Sequence, residues 1–279
     1  MSYSRLLFVA VGVLAVAGTA WLASRRPTNT RAWSADHAVL PNGYFDGSRV
    51  RIVGVRNFRY GTDGTVQPAF EERTYDLDQL QSVWFVLVPF SSRWRAPAHS
   101  FVSFGFGDSQ FVGISVEARR EADERYGVLA GLFRRYELMY VMAEERDLLL
   151  RRVLKDSNDV YVYPVNASPE KARELFVGMV HRANALAERP EFYNTLTNSC
   201  TSNLVKHVNA IAPGRIPAGW RTLLPGYADE VALELGLIQS SGSVDEARRR
   251  YRVNDRAVRY AHDSAFSLRI RATEESSAR

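Results

Sequence analysis

The stretch from residue 98 to residue 118 constrains the fold most, because apolar residues alternate on both sides of a short polar turn. Alternating apolar positions flank Gly107-Asp108-Ser109, namely Val102, Phe104, Phe106 and then Val112, Ile114, Val116, Ala118. Side chains alternate across a β-strand, so we predict a hairpin of strands 98–106 and 110–118. A one-residue slip would turn one strand over. The common three-residue loop pairs Phe106 with Gln110 and keeps the two apolar faces together.

The other face of this predicted hairpin is polar. The register places His99 opposite Glu117, and it places Ser115 and Ser103 nearby, opposite Phe101 and Gly113. A histidine beside a carboxylate is the base and orienting group that nucleophilic catalysis uses. The alternative is a cross-strand ion pair on a solvated face.

The single cysteine, Cys200, excludes a disulfide within the chain and any metal site built on several thiolates. Cys200 follows a polar loop and begins a segment with apolar residues at helical spacing. Asn198 or Ser199 can cap that helix, which places Cys200 in the first turn. Unpaired N–H groups there favour an anion and can stabilise an oxyanion. The alternative, a buried structural cysteine, fits poorly with these polar neighbours.

His99 is the predicted base for Cys200. His207 lies two helical turns after Cys200, roughly 10 Å away, which is too far for proton transfer. The remaining histidines stand in no pattern that supports catalysis: His37, His181 and His262.

An uncharged apolar run, residues 6–23, opens the chain between Arg5 and the pair Arg25-Arg26. Its length is just enough for a membrane helix. A signal anchor and a cleavable signal peptide both remain open, whereas a buried core helix would carry a polar face. We expect a single-pass anchor in the inner (cytoplasmic) membrane, with the catalytic domain in the periplasm.

The rest of the chain is predicted to be an α+β domain with a mostly antiparallel sheet, because strand patterns precede residue 167 and helical patterns follow it. Further predicted elements are strands over 51–60, 83–90, 136–142 and 160–165, a helical turn over 76–81, and helices starting at 169, near 200 and at 231. Residues 146–154 are ambiguous. The predicted divisions are a membrane segment (1–26), a tether (27–50), a catalytic domain (51–238) and an Arg-rich extension (239–279) that is an edge strand or partly disordered.

Composition restricts the function classes. With 46% hydrophobic residues in 279, the chain buries a sizeable core and is not disordered. The formal charge of +5 does not exclude a nucleic-acid partner, but no motif supports one, so none is expected. Arginines far outnumber lysines, which reflects genome composition or a preference for phosphate head groups.

Four segments together resemble the periplasmic domain of Lnb-type lipoprotein N-acyltransferases. They are residues 98–106 (AHSFVSFGF), 115–119 (SVEAR), 136–141 (YELMYV) and 193–201 (YNTLTNSCT). The resemblance runs from about Arg51 to Leu237. Because that family is related to permuted papain-like thiol enzymes, it implies a circularly permuted papain-like fold.

The resemblance also implies an activity. An acyl chain, expected to come from a phospholipid, would pass to Cys200 as a thioester. It would then pass to the α-amino group of the N-terminal cysteine of a diacylglyceryl lipoprotein, with no cofactor or metal. Cys200, His99 and Glu117 are the predicted catalytic residues. The predicted oxyanion and substrate-binding residues are Asn198, Ser199, Tyr193, Ser103, Ser115 and Arg119.

Details of this implied site remain open. Ser103, Ser115 or Asn198 could share the orienting role given to Glu117. Because water would hydrolyse a thioester, an apolar cleft is expected near Phe101, Phe111 and Tyr193. The arginines considered for contact with lipid phosphate are Arg56, Arg59 and Arg119.

Two other function classes remain open. A thiol hydrolase, either a lipid esterase or a peptidoglycan amidase, would use the same Cys200 and His99. It would release its product whether or not a lipoprotein acceptor is present. A membrane-tethered binding module without catalysis would be unaffected by Cys200→Ser.

Overall fold

The computed structural model describes residues 3–61, 63–91, 97–240 and 242–272. The strands are β1 (Asn42–Asp46), β2 (Arg49–Arg56), β3 (Arg59–Tyr60), β4 (Val66–Gln67), β5 (Phe70–Asp76), β6 (Leu80–Pro89), β7 (Ala98–Phe106), β8 (Gln110–Arg119), β9 (Glu137–Glu144) and β10 (Tyr161–Pro164). The helices are α1 (Tyr3–Ser24), α2 (Glu145–Leu150), α3 (Pro169–Glu188), α4 (Cys200–Ile211), α5 (Trp220–Leu223), α6 (Ala228–Glu234), α7 (Val244–Tyr251), α8 (Asn254–Arg259) and α9 (Phe266–Arg269).

One mixed sheet organises these elements. Its order is β1-β2-β9-β8-β7-β6-β10, and β5 pairs with β2. The pairs are antiparallel except β2 with β9, which is parallel and joined at Arg56 and Ala143. The prediction of an α+β fold with a mostly antiparallel sheet is therefore confirmed, with this parallel pair as the difference.

The predicted hairpin is confirmed in register. Phe106 pairs with Gln110, Ser103 with Gly113, and Phe101 with Ser115. The Gly107 backbone has φ of 53°, a left-handed conformation that glycine adopts without strain. This register brings the polar side chains of β7 and β8 onto one face of the sheet.

Helices α3 and α4 cover one face of the sheet, and we call it the cysteine face. There Phe104 and Ile114 pack with Phe176 and Met179 of α3 and with Cys200. Ser168 caps α3 and Pro169 occupies its first turn, as the sequence predicts. The predicted apolar stripe of α3 is buried, namely Leu175, Phe176, Met179, Val180, Ala183 and Leu186.

The second face, which we call the histidine face, is covered by α2, a short π-helix over Arg151–Lys155, and the C-terminal helices. Phe101 and Met139 of the sheet pack there with Leu148, Val253 and Phe266. The ambiguous segment 146–154 is therefore helical, because its leucines are buried against this face.

Two sequence predictions need correction. A bilayer crossing needs about 20 largely apolar residues in one helix. In the described part of the chain, no helix combines enough length with enough hydropathy to cross a membrane. The predicted N-terminal membrane helix is therefore wrong.

The Arg-rich extension, described here to residue 272, forms α7, α8 and α9 rather than an edge strand. Its apolar residues complete the core, since Val253, Ala257 and Phe266 are almost fully buried. Residues 273–279 of the predicted extension lie outside the described residues.

Candidate active site

Cys200 is the first residue of α4, and Ser199 caps that helix. The Ser199 hydroxyl accepts from the Ser202 N–H at 3.4 Å, and the Ser202 hydroxyl accepts from the Ser199 N–H at 2.7 Å. The first N–H groups of a helix have no partner within it. Among the described residues, the N–H groups of Cys200 and Thr201 have no other acceptor either. The two groups are free to stabilise an oxyanion at the thiol.

The Cys200 side chain is buried beside two tyrosines. Only 5% of Cys200 is exposed, and its sulfur lies 3.8 Å from the Thr201 hydroxyl. Burial raises the pKa of Tyr193, and negative charge on Cys200 raises it further. Burial and negative charge on Cys200 also raise the pKa of Tyr126, whose hydroxyl lies 3.4 Å from that of Tyr193. Both phenols therefore stay protonated and able to donate near the sulfur.

A chain of hydrogen bonds on the histidine face links His99 to Glu117 through Ser115. The Nε2 atom of His99 lies 2.7 Å from the Ser115 hydroxyl, which donates to Glu117 Oε1 at 3.0 Å. Glu117 Oε1 itself lies 3.8 Å from His99 Nε2. Glu117 Oε2 lies 3.1 Å from His37 Nε2. Ser115 is thus the direct partner of His99, and Glu117 acts on the imidazole through it.

The donors and acceptors along this chain of hydrogen bonds determine the tautomers of both imidazoles. The Arg120 N–H donates to His37 Nδ1 at 3.0 Å, so His37 donates from Nε2 to Glu117. Because Ser115 gives its proton to Glu117, it can only accept from His99, so His99 carries its proton on Nε2. Within the described residues no donor reaches His99 Nδ1, so its lone pair is available to take a proton.

Arginines keep the buried carboxylate charged. Burial would raise the pKa of Glu117, but the His37 hydrogen bond and the charges of Arg152 and Arg151 hold it well below its usual range. Burial and the charge of Arg152 lower the pKa of His99 to about 3. The group therefore holds an ionised Glu117 beside a neutral His99 at neutral pH. Both side chains are buried, which removes the alternative of an ion pair on a solvated face.

The structure does not join His99 to Cys200 by a hydrogen bond within the described residues. Along β7, Ser100 and Val102 point towards α4, whereas His99 and Phe101 point towards the face that carries Arg152. The predicted catalytic pair therefore lies on different sides of the same strand.

Several predicted binding residues have structural partners instead. Asn198 donates to the Phe192 carbonyl at 3.0 Å, and Ser103 is fully buried. Arg119 donates to the carbonyls of His37 and Ala38 and lies over the Trp33 ring.

The arginines considered for lipid phosphate divide in the same way. Arg56 is 1% exposed and makes a double hydrogen bond with Asp147. Arg56 and Arg119 are therefore occupied within the fold, whereas Arg59 is exposed.

An apolar cavity of about 390 Å³ runs along α4 on the cysteine face. One stripe of α4 lines it from the residue after Cys200 to the end of the helix, namely Thr201, Leu204, Val205, Val208 and Ile211. This stripe spans roughly 15 Å at the rise of an α-helix. The cavity lies apart from the expected cleft, since Phe101 packs on the opposite face and Phe111 beneath Arg271.

His37 and Tyr126 belong to this region, although the sequence does not single them out. His37 is separated from Glu117 by 80 residues, and Tyr126 from Tyr193 by 67. Neither lies in a segment with strand or helix periodicity, so no sequence signal connects them to their partners. Within the described part of the chain, no cluster of three or more His, Cys, Asp or Glu side chains is arranged to hold a metal ion.

The fold and site together define an α+β domain whose one cysteine starts a helix beside an apolar cavity. A family model described as the Lnb N-terminal periplasmic domain matches residues 66–226, which is more than half of the chain. The chain belongs to this family, as its sequence resemblance indicates, and carries an Lnb-type periplasmic domain. No curated protein and no solved structure matches the chain.

Proposed function

We propose that this protein is a thiol acyltransferase that loads an acyl chain from a phospholipid onto Cys200 and transfers it to the N-terminal amine of a lipoprotein. One observation carries this proposal: the apolar cavity follows α4 from the residue next to Cys200. In this proposal a fatty acyl chain in that cavity extends past Thr201 to the thiol of Cys200, which is not itself part of the lining. Its volume lies within the range of ordinary ligand sites.

The first half-reaction transfers the acyl group to sulfur. In this proposal His99 Nδ1 takes the thiol proton, which requires the imidazole to turn from the histidine face towards α4 and to leave the buried surroundings beside Arg152 that lower its pKa. The sulfur attacks the ester carbonyl, and the N–H groups of Cys200 and Thr201 hold the oxyanion. The carbon–oxygen bond then breaks, and the lysolipid alcohol leaves with the proton held by His99. A thioester remains on Cys200.

The second half-reaction transfers the acyl group to nitrogen. The neutral amine of the acceptor attacks the thioester carbon, and His99 removes the excess proton from that nitrogen. The carbon–sulfur bond breaks, the amide forms, and the proton returns to the Cys200 thiol. Splitting one acyl transfer into two steps is the usual advantage of covalent catalysis.

The cavity lining favours a lipid donor over peptidoglycan. Apolar side chains of α4, α6 and the sheet form most of its wall. Glycan strands and their peptides would leave polar groups unpaired there, at a cost of about 1–3 kcal/mol for each buried group. A lipid esterase remains compatible with the same cavity and is separated from a transferase only by its acceptor.

Intact-mass analysis after incubation with phospholipid vesicles tests the proposal. The protein is compared with Cys200→Ala, with and without a diacylated lipoprotein peptide. We expect an acyl adduct that hydroxylamine removes, that Cys200→Ala lacks, and that passes to the peptide amine. An adduct lost to water equally fast with and without peptide would establish a hydrolase. A wild-type protein that forms neither adduct nor product would refute the catalytic proposal.

A matched pair of variants tests whether the cavity holds the chain. Val208 lines the cavity two turns beyond Cys200, whereas Ala210 is exposed on the same helix. Val208→Phe should reduce adduct formation from long-chain donors by about 10-fold while sparing short-chain donors, because one or two lost methylene contacts cost 1–3 kcal/mol. Ala210→Phe should behave as the wild type with both. If Val208→Phe reduces adduct formation equally for donors of every chain length, the acyl chain does not bind in this cavity.

A further inference from the structure

Two loops beside Cys200 expose large apolar side chains, and we call these side chains the rim. Leu129 is 71% exposed, Phe133 55%, Val128 48% and Leu196 46%. Single exposed apolar residues are common on protein surfaces, but contiguous ones mark interaction sites.

Hydrogen bonds make the two loops of the rim one unit. The Thr195 hydroxyl donates to the Val128 carbonyl at 2.8 Å, and the Asn194 amide reaches the Leu132 carbonyl at 3.5 Å. The second loop continues directly into Ser199 and Cys200. Because Tyr126 of the first loop contacts Tyr193, the rim is fixed to the surroundings of the thiol.

Arginines flank the rim. Arg125 and Arg134 are exposed, and the Arg135 side chain is 55% exposed beside Glu124. Arg134 has φ of 54°, a left-handed conformation that costs a non-glycine residue free energy. In this conformation its guanidinium donates to the Leu22 carbonyl in the last turn of α1 at 2.9 Å. The loop therefore presents apolar side chains between Arg125 on one side and Arg134 and Arg135 on the other, and Asp123 is also exposed near Arg125.

We propose that the rim is a docking surface for an anionic lipid bilayer. Apolar side chains that enter the interface, combined with cationic side chains that meet anionic head groups, supply the two contributions that interfacial binding needs. The meaning of this surface rests on the proposed function, because docking there would place the Cys200 loop against the layer that holds both lipid substrates. The binding itself requires no catalysis.

Vesicle binding of the full chain tests the proposal, and Cys200→Ala protein keeps it separate from acyl transfer. The vesicles contain phosphatidylcholine alone or with phosphatidylglycerol. Leu129→Ser combined with Phe133→Ser removes the apolar contribution of the rim. The matched control combines Val258→Ser with Leu268→Ser, at positions 47% and 42% exposed on the C-terminal helices.

We expect the rim variant to bind phosphatidylglycerol vesicles at least about 10-fold more weakly, because two partly inserted apolar side chains contribute more than 1.4 kcal/mol. The control should bind as the parent does. Arg125→Gln should weaken binding about 5-fold, and only to vesicles that contain phosphatidylglycerol. Hydrogen exchange should slow at residues 126–133 when vesicles are added.

Three outcomes would overturn the proposal. The first is equal vesicle binding by the rim variant and the control variant. The second is slower hydrogen exchange only in segments other than residues 126–133. The third is that a lipoprotein peptide, but no vesicle, slows exchange at the rim. Failure of acyl transfer with intact vesicle binding would refute the proposed function alone.

Discussion

At the scale of single residues, Ser115 determines which nitrogen of His99 can act. Its hydroxyl accepts the His99 Nε2 proton and donates to Glu117, so the imidazole presents Nδ1 as the basic atom. His37 fixes the far end of the chain by donating to the other oxygen of Glu117. Ser115, Glu117 and His37 are therefore positioning residues for His99 in the proposed reaction.

Replacement of Ser115 should impair turnover without unfolding the protein. In Ser115→Ala the imidazole loses its fixed tautomer, and we expect kcat of the acyl transfer to fall by about 10-fold or more. The pH profile of kcat should also change, which a purely structural loss would not produce. Ser115→Thr keeps the hydroxyl and should recover most of the activity.

Ser103→Ala is the matched control, because Ser103 is a buried serine on the same face that contacts neither His99 nor Glu117 by a hydrogen bond. It should retain the wild-type kcat and pH profile. Equal losses in Ser103→Ala and Ser115→Ala would mean that the serines act only through packing.

The proximity of His99, Ser115 and Glu117 is predictable from the sequence because a hairpin is local. Its register follows from the loop length and from the apolar face, and side-chain positions follow from the register. The role of His37 is not predictable from the sequence, because its contact with Glu117 depends on how a segment outside the sheet, 80 residues away, folds back onto it. Nor does the sequence show that β7 directs His99 away from α4, because that depends on which face each helix covers.

At the scale of elements, two helices in the described part of the chain begin with a capping box, and their roles differ. Ser199 and Ser202 start α4 at the thiol, whereas Ser243 and Glu246 start α7 far along the chain. The first was predictable from a polar loop followed by apolar spacing. The C-terminal helices were not, since Arg-rich segments as short as α7 and α8 depend on tertiary contacts such as those of Ala247 and Ala257.

The two caps offer a comparison of stability with reactivity. Ser199→Ala and Ser243→Ala should each lower the free energy of unfolding by about 1 kcal/mol, because each removes a cap hydrogen bond. Only Ser199→Ala should slow alkylation of Cys200 by a small thiol reagent, since only that cap orders the N–H groups around the sulfur. Denaturant unfolding and alkylation rates measure the two effects. Equal alkylation rates in both variants would show that the helix start does not activate the thiol.

At the scale of the whole molecule, the sheet separates two environments. The cysteine face holds the apolar cavity, and the histidine face holds a buried group of charged side chains that includes Glu117, Arg151 and Arg152. The class of the fold was predictable, because strand patterns give way to helical ones along the chain. The division into two environments was not predictable, because it depends on the C-terminal helices that cover the histidine face.

Because these titratable groups are buried, the free energy of unfolding should fall as the pH is lowered. Burial lowers the pKa of His99 to about 3, and it also lowers that of His37, against 6.5 in an unfolded chain. Below pH 6.5 the unfolded state therefore binds more protons than the folded state, so stability falls as pH falls towards 3. The depressed pKa of Glu117 acts in the same direction, since its stabilising effect is lost below its unfolded value of 4.5.

Urea unfolding between pH 7 and pH 4 measures this dependence. Each buried imidazole contributes up to about 1.4 kcal/mol per pH unit below the unfolded pKa. His37→Gln should lower stability at pH 7 by about 1–3 kcal/mol, because Glu117 loses a partner, and should flatten the slope by the share of one histidine. His262→Gln, at an exposed position, should leave both unchanged. A wild-type protein equally stable at pH 7 and pH 5 would mean that His37 and His99 are not held neutral, and the tautomer assigned to His99 would fail with it.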